Sequence, residues 1–428
     1  MIESKVTAAT EPDGEPIDAL QPINIEVVPS PPKEGLIAWI QVLGAFIINL
    51  NTWGLMNSYG AFQTFYQVDM LRSSSSSSIA WIGSTQAFFL FLNSLIAGPL
   101  FDAGYLRQLL WVGSLLLVVG MLLTSITSHY WQIFLTQALM TGLGFGCLYL
   151  PAPAVVSQHF YASTALAMGT SSTGSAIGGI IYPIIFNQLQ PQVGFGWATR
   201  VLAFILLATS VIPVFLMKAN APPRPARSLV DRSAFKDAPF LVFILGLFFG
   251  VMGFYIVLNY IELLALARTN TTPHLAGYLL VIINAASLPG RLVPGYYADQ
   301  IGSINVQTTV VLAGVVLTFS LLTIRTAAGL IVFSSLYGFM AGAFLGLPAS
   351  GIVNLSSDKS KIGTRLGMTL SFIGFGLLVS NPIAGAILGS GQNWVGLIIW
   401  CGVLLAASGA CLTVSRVLKV GPRLTKAL

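Results

Sequence analysis

Gly98-Pro99-Leu100-Phe101-Asp102-Ala103-Gly104-Tyr105-Leu106-Arg107 closes one long apolar run, and Gly295-Tyr296-Tyr297-Ala298-Asp299-Gln300-Ile301-Gly302 closes another, 197 residues later. Each carries G-x-x-x-D at the polar end of its apolar segment. The same separation joins Pro151 to Pro348, and it drifts only to 198 between Gly169 and Gly367 and to 199 between Pro183 and Pro382. A register kept through the second, fourth and fifth apolar segments of each half predicts two copies of one six-helix unit, the architecture of parallel-repeat secondary transporters.

Composition agrees. Only 8% of the 428 residues are charged, 55% are hydrophobic, and the mean hydropathy is +0.81. About a quarter of the residues of an ordinary soluble domain are charged. So few charges cannot coat a globule of 45.5 kDa, whereas a chain solvated mostly by lipid needs few. A soluble enzyme and a disordered chain are both excluded. The expected fold is an all-α membrane protein with twelve transmembrane helices in two six-helix repeats.

Apolar runs at about 36–62, 79–101, 106–127, 131–156, 165–189 and 198–217 make the first half, and runs at 239–264, 275–297, 305–324, 328–354, 362–390 and 394–416 make the second. The expected organisation is an acidic, disordered tail at 1–34, a six-helix bundle at 35–217, a basic linker at 218–238, a second bundle at 239–416 and a basic tail at 417–428. No short apolar stretch behind basic residues precedes the first span, so no cleavable signal peptide is expected. With the N-terminus in the cytosol, fifteen of the twenty Lys and Arg fall on the cytosolic side and only Arg72, Arg200, Arg268 and Arg325 outside. That asymmetry is the positive-inside pattern and puts both termini in the cytosol, with the plasma membrane as the expected location. It also accounts for the formal charge of +6 without nucleic acid. The sequon Asn270-Thr271-Thr272 falls in an outside loop, which makes Asn270 a glycosylation candidate.

The glycines Gly98 and Gly295 are expected to let a neighbouring helix approach closely. Asp102 and Asp299 are expected to accept hydrogen bonds from another helix's N-terminus or to pair with a cytosolic Arg, with Arg107 nearby, so latching the inner gate. These residues resemble the loop motif of the major facilitator superfamily, although Gln300 stands where the family has a basic residue. A narrower resemblance runs from Glu34-Gly35-Leu36-Ile37-Ala38-Trp39 and Asn57-Ser58-Tyr59-Gly60 through His159-Phe160-Tyr161, Leu166-Ala167-Met168-Gly169 and Gly174 to Gly178, and on to the segment from Asn284 to Gly302. Together these are similar to the monocarboxylate transporter family, in particular its fungal branch. In that family a first-span lysine and an eighth-span Asp/Arg pair bind a carboxylate and a proton. Here the lysine position is Asn57, and Arg291 is present but its acidic partner is replaced by Ser287.

Arg291 is the leading binding candidate, because a charge within a span costs about 2.5–3.5 kcal/mol on insertion scales and calls for a partner or an aqueous cavity. Its guanidinium suits a carboxylate or a carbonyl group, and pairing with a gate carboxylate or a carbonyl is the structural alternative. Asn57, Asn284, Ser171, Ser175, Tyr255 and Asn381 are further candidates to line a central cavity, with interhelical hydrogen bonding as the alternative for each, as for Asn49, Asn51, Ser172, Asn259 and Ser371. Glu262, the one acid in the outer half of a span, reads as a surface pair with Arg268, a proton relay being the other reading. Gly142-Leu143-Gly144-Phe145-Gly146 lies in an apolar run and reads as close helix packing, and Ser73 to Ser78 as a flexible outside loop. Histidine and cysteine spacing shows no metal site. No Walker loop or nucleophile elbow is visible, so neither an enzyme nor an ATP-driven pump is indicated, and no cofactor. The expected partners are the lipid bilayer, a small-molecule substrate of anionic character, and protons. Two transport functions stay open, carriage of a small organic acid and efflux of a larger or neutral secondary metabolite, with a non-transporting receptor as a third reading.

Overall fold

The computed structural model describes residues 35–160, 164–220, 230–356 and 361–421. The tail at 1–34, residues 221–229 of the basic linker and the last seven residues lie outside them, as does Tyr161. Eleven helices among the described residues are long and apolar enough to cross a membrane. In the order of the chain they are α1 (Leu36–Met70), α2 (Ser76–Asp102), α3 (Leu106–Thr124), α4 (Tyr130–His159) and one helix of 53 residues, Thr164–Leu216. Then come α7 (Ala238–Arg268), α8 (Pro273–Ile301), α9 (Ser303–Ser320), α10 (Ala327–Leu355), α11 (Ile362–Leu388) and α12 (Trp394–Val420).

At 1.5 Å per residue the 53-residue helix would be about 80 Å long, against a hydrocarbon layer of about 30 Å. It is broken at Gly194, whose φ of 79° and ψ of 167° only glycine adopts without strain. The two arms are α5 (164–193) and α6 (195–216), and the crossings among the described residues number twelve. The expected loop between the fifth and sixth spans is therefore this single glycine break.

Local sequence sets where the helices begin. Ser75, Thr272, Thr326, Asp237 and Asn393 each stand before an apolar run and accept a backbone N–H of the first turn through the side chain. The Ser75 cap, 3.0 Å from Ser78 N, starts α2 at Ser76, so the second half of the serine run is helix and not loop. The first span likewise extends beyond residue 62 to Met70, through a wider π turn at Tyr66–Met70.

The internal repeat is legible in the packing. Gly142 and Gly146 of α4 seat α4 on Gln86, Phe89 and Asn93 of α2, and Gly338 and Gly342 of α10 seat α10 on Ile283 and Ser287 of α8. Both α4 and α10 are interrupted just before a proline, Pro151 and Pro348, which begins a new helical segment because proline has no N–H to give the preceding turn. α7 is the most enclosed crossing, whereas α3, α6, α9 and α12 turn Trp111, Leu115, Phe204, Val211, Val316 and Val403 outward as a lipid-facing surface.

The two halves meet along three seams. α1 meets α7 where Gly60 lies against Leu258 and Asn259. α2 meets α11, with Ser77 Oγ donating to Pro382 O at 2.9 Å and Phe88 against Phe375 at 5.0 Å. α5 meets α8, with Gly179 against Asn284 and Gly277 against Asn187. Residues 35 and 421 share one face of the bundle, called the terminal face below, and the opposite face is the distal one.

Candidate functional site

Arg291 of α8 reaches across the α5–α8 seam. Its Nη1 donates to Ser172 O at 2.9 Å and to Ser175 Oγ, while the buried Nε has no partner among the described residues. Tyr149 of α4 and Tyr255 of α7 both lie within electrostatic reach of the guanidinium. Tyr255 OH donates to Asn57 Oδ1 at 3.5 Å. Trp53, one turn before Asn57 in the π turn Leu50–Gly54, stands edge-on to Tyr149 and to Phe91 with ring centroids 5.6 Å apart in each case. Helices α1, α4, α5, α7 and α8 thus converge on one cationic group beside aromatic rings, with no carboxylate next to it among the described residues. The layer separates two clefts, one of about 590 Å³ at the distal face and one of about 290 Å³ at the terminal face.

Of the binding residues expected from sequence, Arg291, Ser175, Tyr255 and Asn57 come together in this layer. The other three do not join it. Ser171 donates to Met168 O and offers its own carbonyl to Asn49 Nδ2 at 3.2 Å. Asn284 donates to Leu280 O at 3.0 Å and fills the notch at Gly179. Asn381 offers its backbone carbonyl to Tyr260 OH at 3.3 Å. Asn51 is likewise a tie, holding α1 to α5 and α6 through Tyr182, Thr209 and Ser210 at 2.9–3.1 Å. For Ser171, Asn284 and Asn51 the hydrogen-bonding alternative describes the geometry, since a polar group in the membrane interior without water takes whatever helix partner is in reach, whereas the Asn381 side-chain Oδ1 is buried with no partner among the described residues. Trp53 and Tyr149 were not singled out by sequence reasoning. The signals were their places one turn before Asn57 and two residues before Pro151.

At the terminal face, Asp102 lines the smaller cleft with Gly98 and with Gly363 and Thr364 of the first turn of α11. A Cβ on Gly98 would touch Leu150 of α4, but one on Gly295 would meet nothing within 4 Å. Close approach therefore does not explain Gly295, where α8 faces an open notch. Asp299 closes α8 in sequence, and Arg107 is exposed at the start of α3.

A carboxylate–arginine cluster on the same face ties the linker and the start of α7 to α11. Arg365 of α11 donates from Nε to Asp231 Oδ2 at 3.1 Å and from Nη1 to Asp237 Oδ2 at 2.8 Å, over the Phe240 ring at 4.8 Å. Lys361 adds a contact to Asp231 at 3.6 Å. The Ser233 hydroxyl, donating at 2.6 Å, is the main cause of an Asp231 pKa lowered to about 2, with burial opposing it and Arg365 reinforcing it. A depressed carboxylate stabilises the fold above its ordinary value, 3.8 here, and loses that contribution as pH falls toward 2. Asp231→Asn should therefore lower the thermal unfolding midpoint by a constant amount well above pH 3.8, and the difference should shrink progressively as pH falls through 3.8 toward 2; a difference that vanishes near neutral pH would contradict the assignment.

At the distal face the expected Glu262–Arg268 surface pair is not formed. Arg268 donates instead to Leu321 O and Leu322 O, both at 3.4 Å, and Glu262 is only 8% exposed, with its Oε2 buried and unpartnered among the described residues. Six residues along a helix turn the side chain by about 240°, away from the first one's face. Asn270 is exposed between α7 and α8, and the Thr272 hydroxyl of its sequon accepts Leu275 N at 3.3 Å.

The chain matches the family model of the Major Facilitator Superfamily over residues 35–351. It is 43% identical over 377 residues to the MFS-type transporter dbaD of Emericella nidulans, covering 88% of this chain and 85% of that one. The aspyridones efflux protein apdF of the same organism is 37% identical over 358 residues, covering 83% and 73%. Among solved structures, a POT family transporter in complex with 5-aminolevulinic acid superimposes with a TM-score of 0.71 over 91% of this chain and 96% of that one, at 13% identity, a likeness of fold alone. With its twelve helices, its repeat and these matches, the chain belongs to the Major Facilitator Superfamily and is a transporter, not an enzyme.

Proposed function

We propose that this transporter exports a bulky, partly aromatic secondary metabolite bearing an acidic or carbonyl oxygen, by alternating access around the Arg291 layer. The observation that carries the reading is the composition of that layer. Arg291 is held by Ser172 and Ser175 beside Tyr149 and Tyr255, with Trp53 edge-on to Tyr149 and with Ser287 in the place where a carboxylate carrier of the resembling family keeps an acid. A guanidinium with an unpartnered N–H recognises an oxygen, and the rings recognise a flat apolar body. The name of the relative apdF, an efflux protein, supports the outward direction. The terminal face is read as cytosolic on the distribution of basic residues, and cargo enters there.

Carriage of a small organic acid is the weaker reading, because Ser287 and Asn57 leave Arg291 without the partners that a proton-coupled carboxylate site uses. Cells expressing the chain and loaded with a labelled polycyclic aromatic ketone should retain less of it than cells without the chain, and their uptake of labelled lactate should be unchanged. Faster lactate uptake with no change in ketone retention would overturn the proposal.

A further inference from the structure

The distal cleft is walled by α1 and α5 of the first half and by α7 and α8 of the second, so any separation of the halves at this face widens it. Glu262 of α7 lies in its wall. The Glu262 Oε2 is buried and has no hydrogen-bond partner among the described residues, and the Thr64 hydroxyl of α1, in the same wall, donates to Gly60 O at 3.0 Å.

Among the described residues no cation pairs with a charge at this position. From α1 and the turn after it the cleft receives Asp69 and Arg72, which pair with each other at 3.5 Å in the exposed rim, and α5 contributes Asn187, Gln188, Gln190 and Gln192, none of which ionises. Arg268, on α7 itself, is committed to the carbonyls of Leu321 and Leu322. α8 contributes His274 and Tyr278, engaged with each other at 4.9 Å and with Gln188 of the other half at 3.4 and 3.2 Å. A lone ionised carboxylate in such a place is far costlier than a neutral one.

We infer that Glu262 is a proton-binding site that couples closure of the distal face to proton uptake: the acid is neutral while the halves are packed around it and ionises when they part and water enters. Linkage then makes low pH favour the closed distal face, and the open-to-closed ratio rises with pH by up to about tenfold per unit within the range where the two states differ by one proton. This supplies the coupling ion for the exporter proposed above and rests on that reading only for its use, because the protonation is read without any cargo.

Two measurements test it. In the infrared spectrum of the native chain, a band from the C=O stretch of a protonated carboxylic acid should be present at neutral pH and missing in Glu262→Gln. Nitroxides at Val193→Cys and Thr323→Cys, across the distal face in a chain whose Cys147, Cys401 and Cys411 are replaced, should show a longer-distance population that grows from pH 5 to pH 9. Glu262→Gln should hold the short distance at every pH, while Glu262→Asp and His274→Gln should keep the shift. A carboxylic-acid band unchanged in Glu262→Gln, or a pH shift equal in Glu262→Gln and its parent, would overturn the inference. Loss of the shift in His274→Gln alone would move the switch to the histidine and overturn it as well. Failure of the efflux reading, seen as absence of flux, would leave both results untouched.

Discussion

Arg291→Ala should raise the apparent KM for cargo by about 10- to 100-fold, the equivalent of the roughly 1.5–3 kcal/mol that a hydrogen bond to a charged group contributes. Arg291→Lys should recover little of the loss, because a compact ammonium lacks the planar fork that holds Ser172 and Ser175 through Nη1 and keeps the Nε N–H at a separate, fixed position for a ligand. The geometry also allows Arg291 to act as a strut, since it joins α8 to α5. The two roles separate experimentally. A strut would lower the thermal midpoint and leave KM unchanged in the variant that still folds. A binding residue moves KM, and Arg291→Ala, which removes a buried charge with an unpartnered Nε, should cost the fold little. An unaltered KM in both variants would reject the binding role.

Gly385→Leu should open the distal face. A Cβ at Gly385 would stand 2.7 Å from Ser77 Cα, backbone that belongs to the other half, so the added side chain cannot be absorbed without moving α2 and α11 apart. Overpacking of this kind costs about 1–3 kcal/mol. Here that cost falls on the closed state alone, and the shift in population should be about tenfold or more. Labelling of a cysteine placed at Ala61, which lines the distal cleft and is 1% exposed, reads that shift directly with a membrane-impermeant maleimide. Gly342→Leu is the control. Its Cβ would meet the Ser287 backbone within the same half, so it should lower the thermal midpoint without raising Ala61→Cys labelling. If Gly385→Leu behaved like Gly342→Leu, the α2–α11 contact would be a fixed part of the fold and not a gate.

The fold was legible because its causes are long and repetitive. Charge scarcity, twelve apolar runs and the recurrence of Gly98, Asp102 and Pro151 near a 197-residue separation are properties of many residues at once, and no single tertiary contact can reverse them. Boundaries depended on single groups and were less legible. The Ser75 cap turned part of a serine run into helix, and Gly194 replaced a loop with one positive-φ residue. The site was legible only in part. Arg291 announces itself by its charge in an apolar segment, but its partners Ser172 and Ser175 stand 119 and 116 residues away in the chain, and nothing local joins them. Asn49, Asn51 and Ser171 carry the same polar signal as Ser175 and serve packing instead, because depth and face are decided by which helix lies opposite. Glu262 and Arg268 looked like a pair along the sequence and were separated by helical rotation.

The measurement that tests the account most directly is flux in proteoliposomes containing the purified chain, its Arg291→Ala variant or no protein, preloaded with a labelled polycyclic aromatic ketone or with labelled lactate, with and without an imposed pH gradient. The account predicts ketone efflux that the gradient accelerates, that Arg291→Ala slows at least tenfold at sub-saturating concentration, and that lactate does not share. Gradient-driven lactate flux that depends on Arg291, with the ketone moving no faster than through protein-free vesicles, would contradict it.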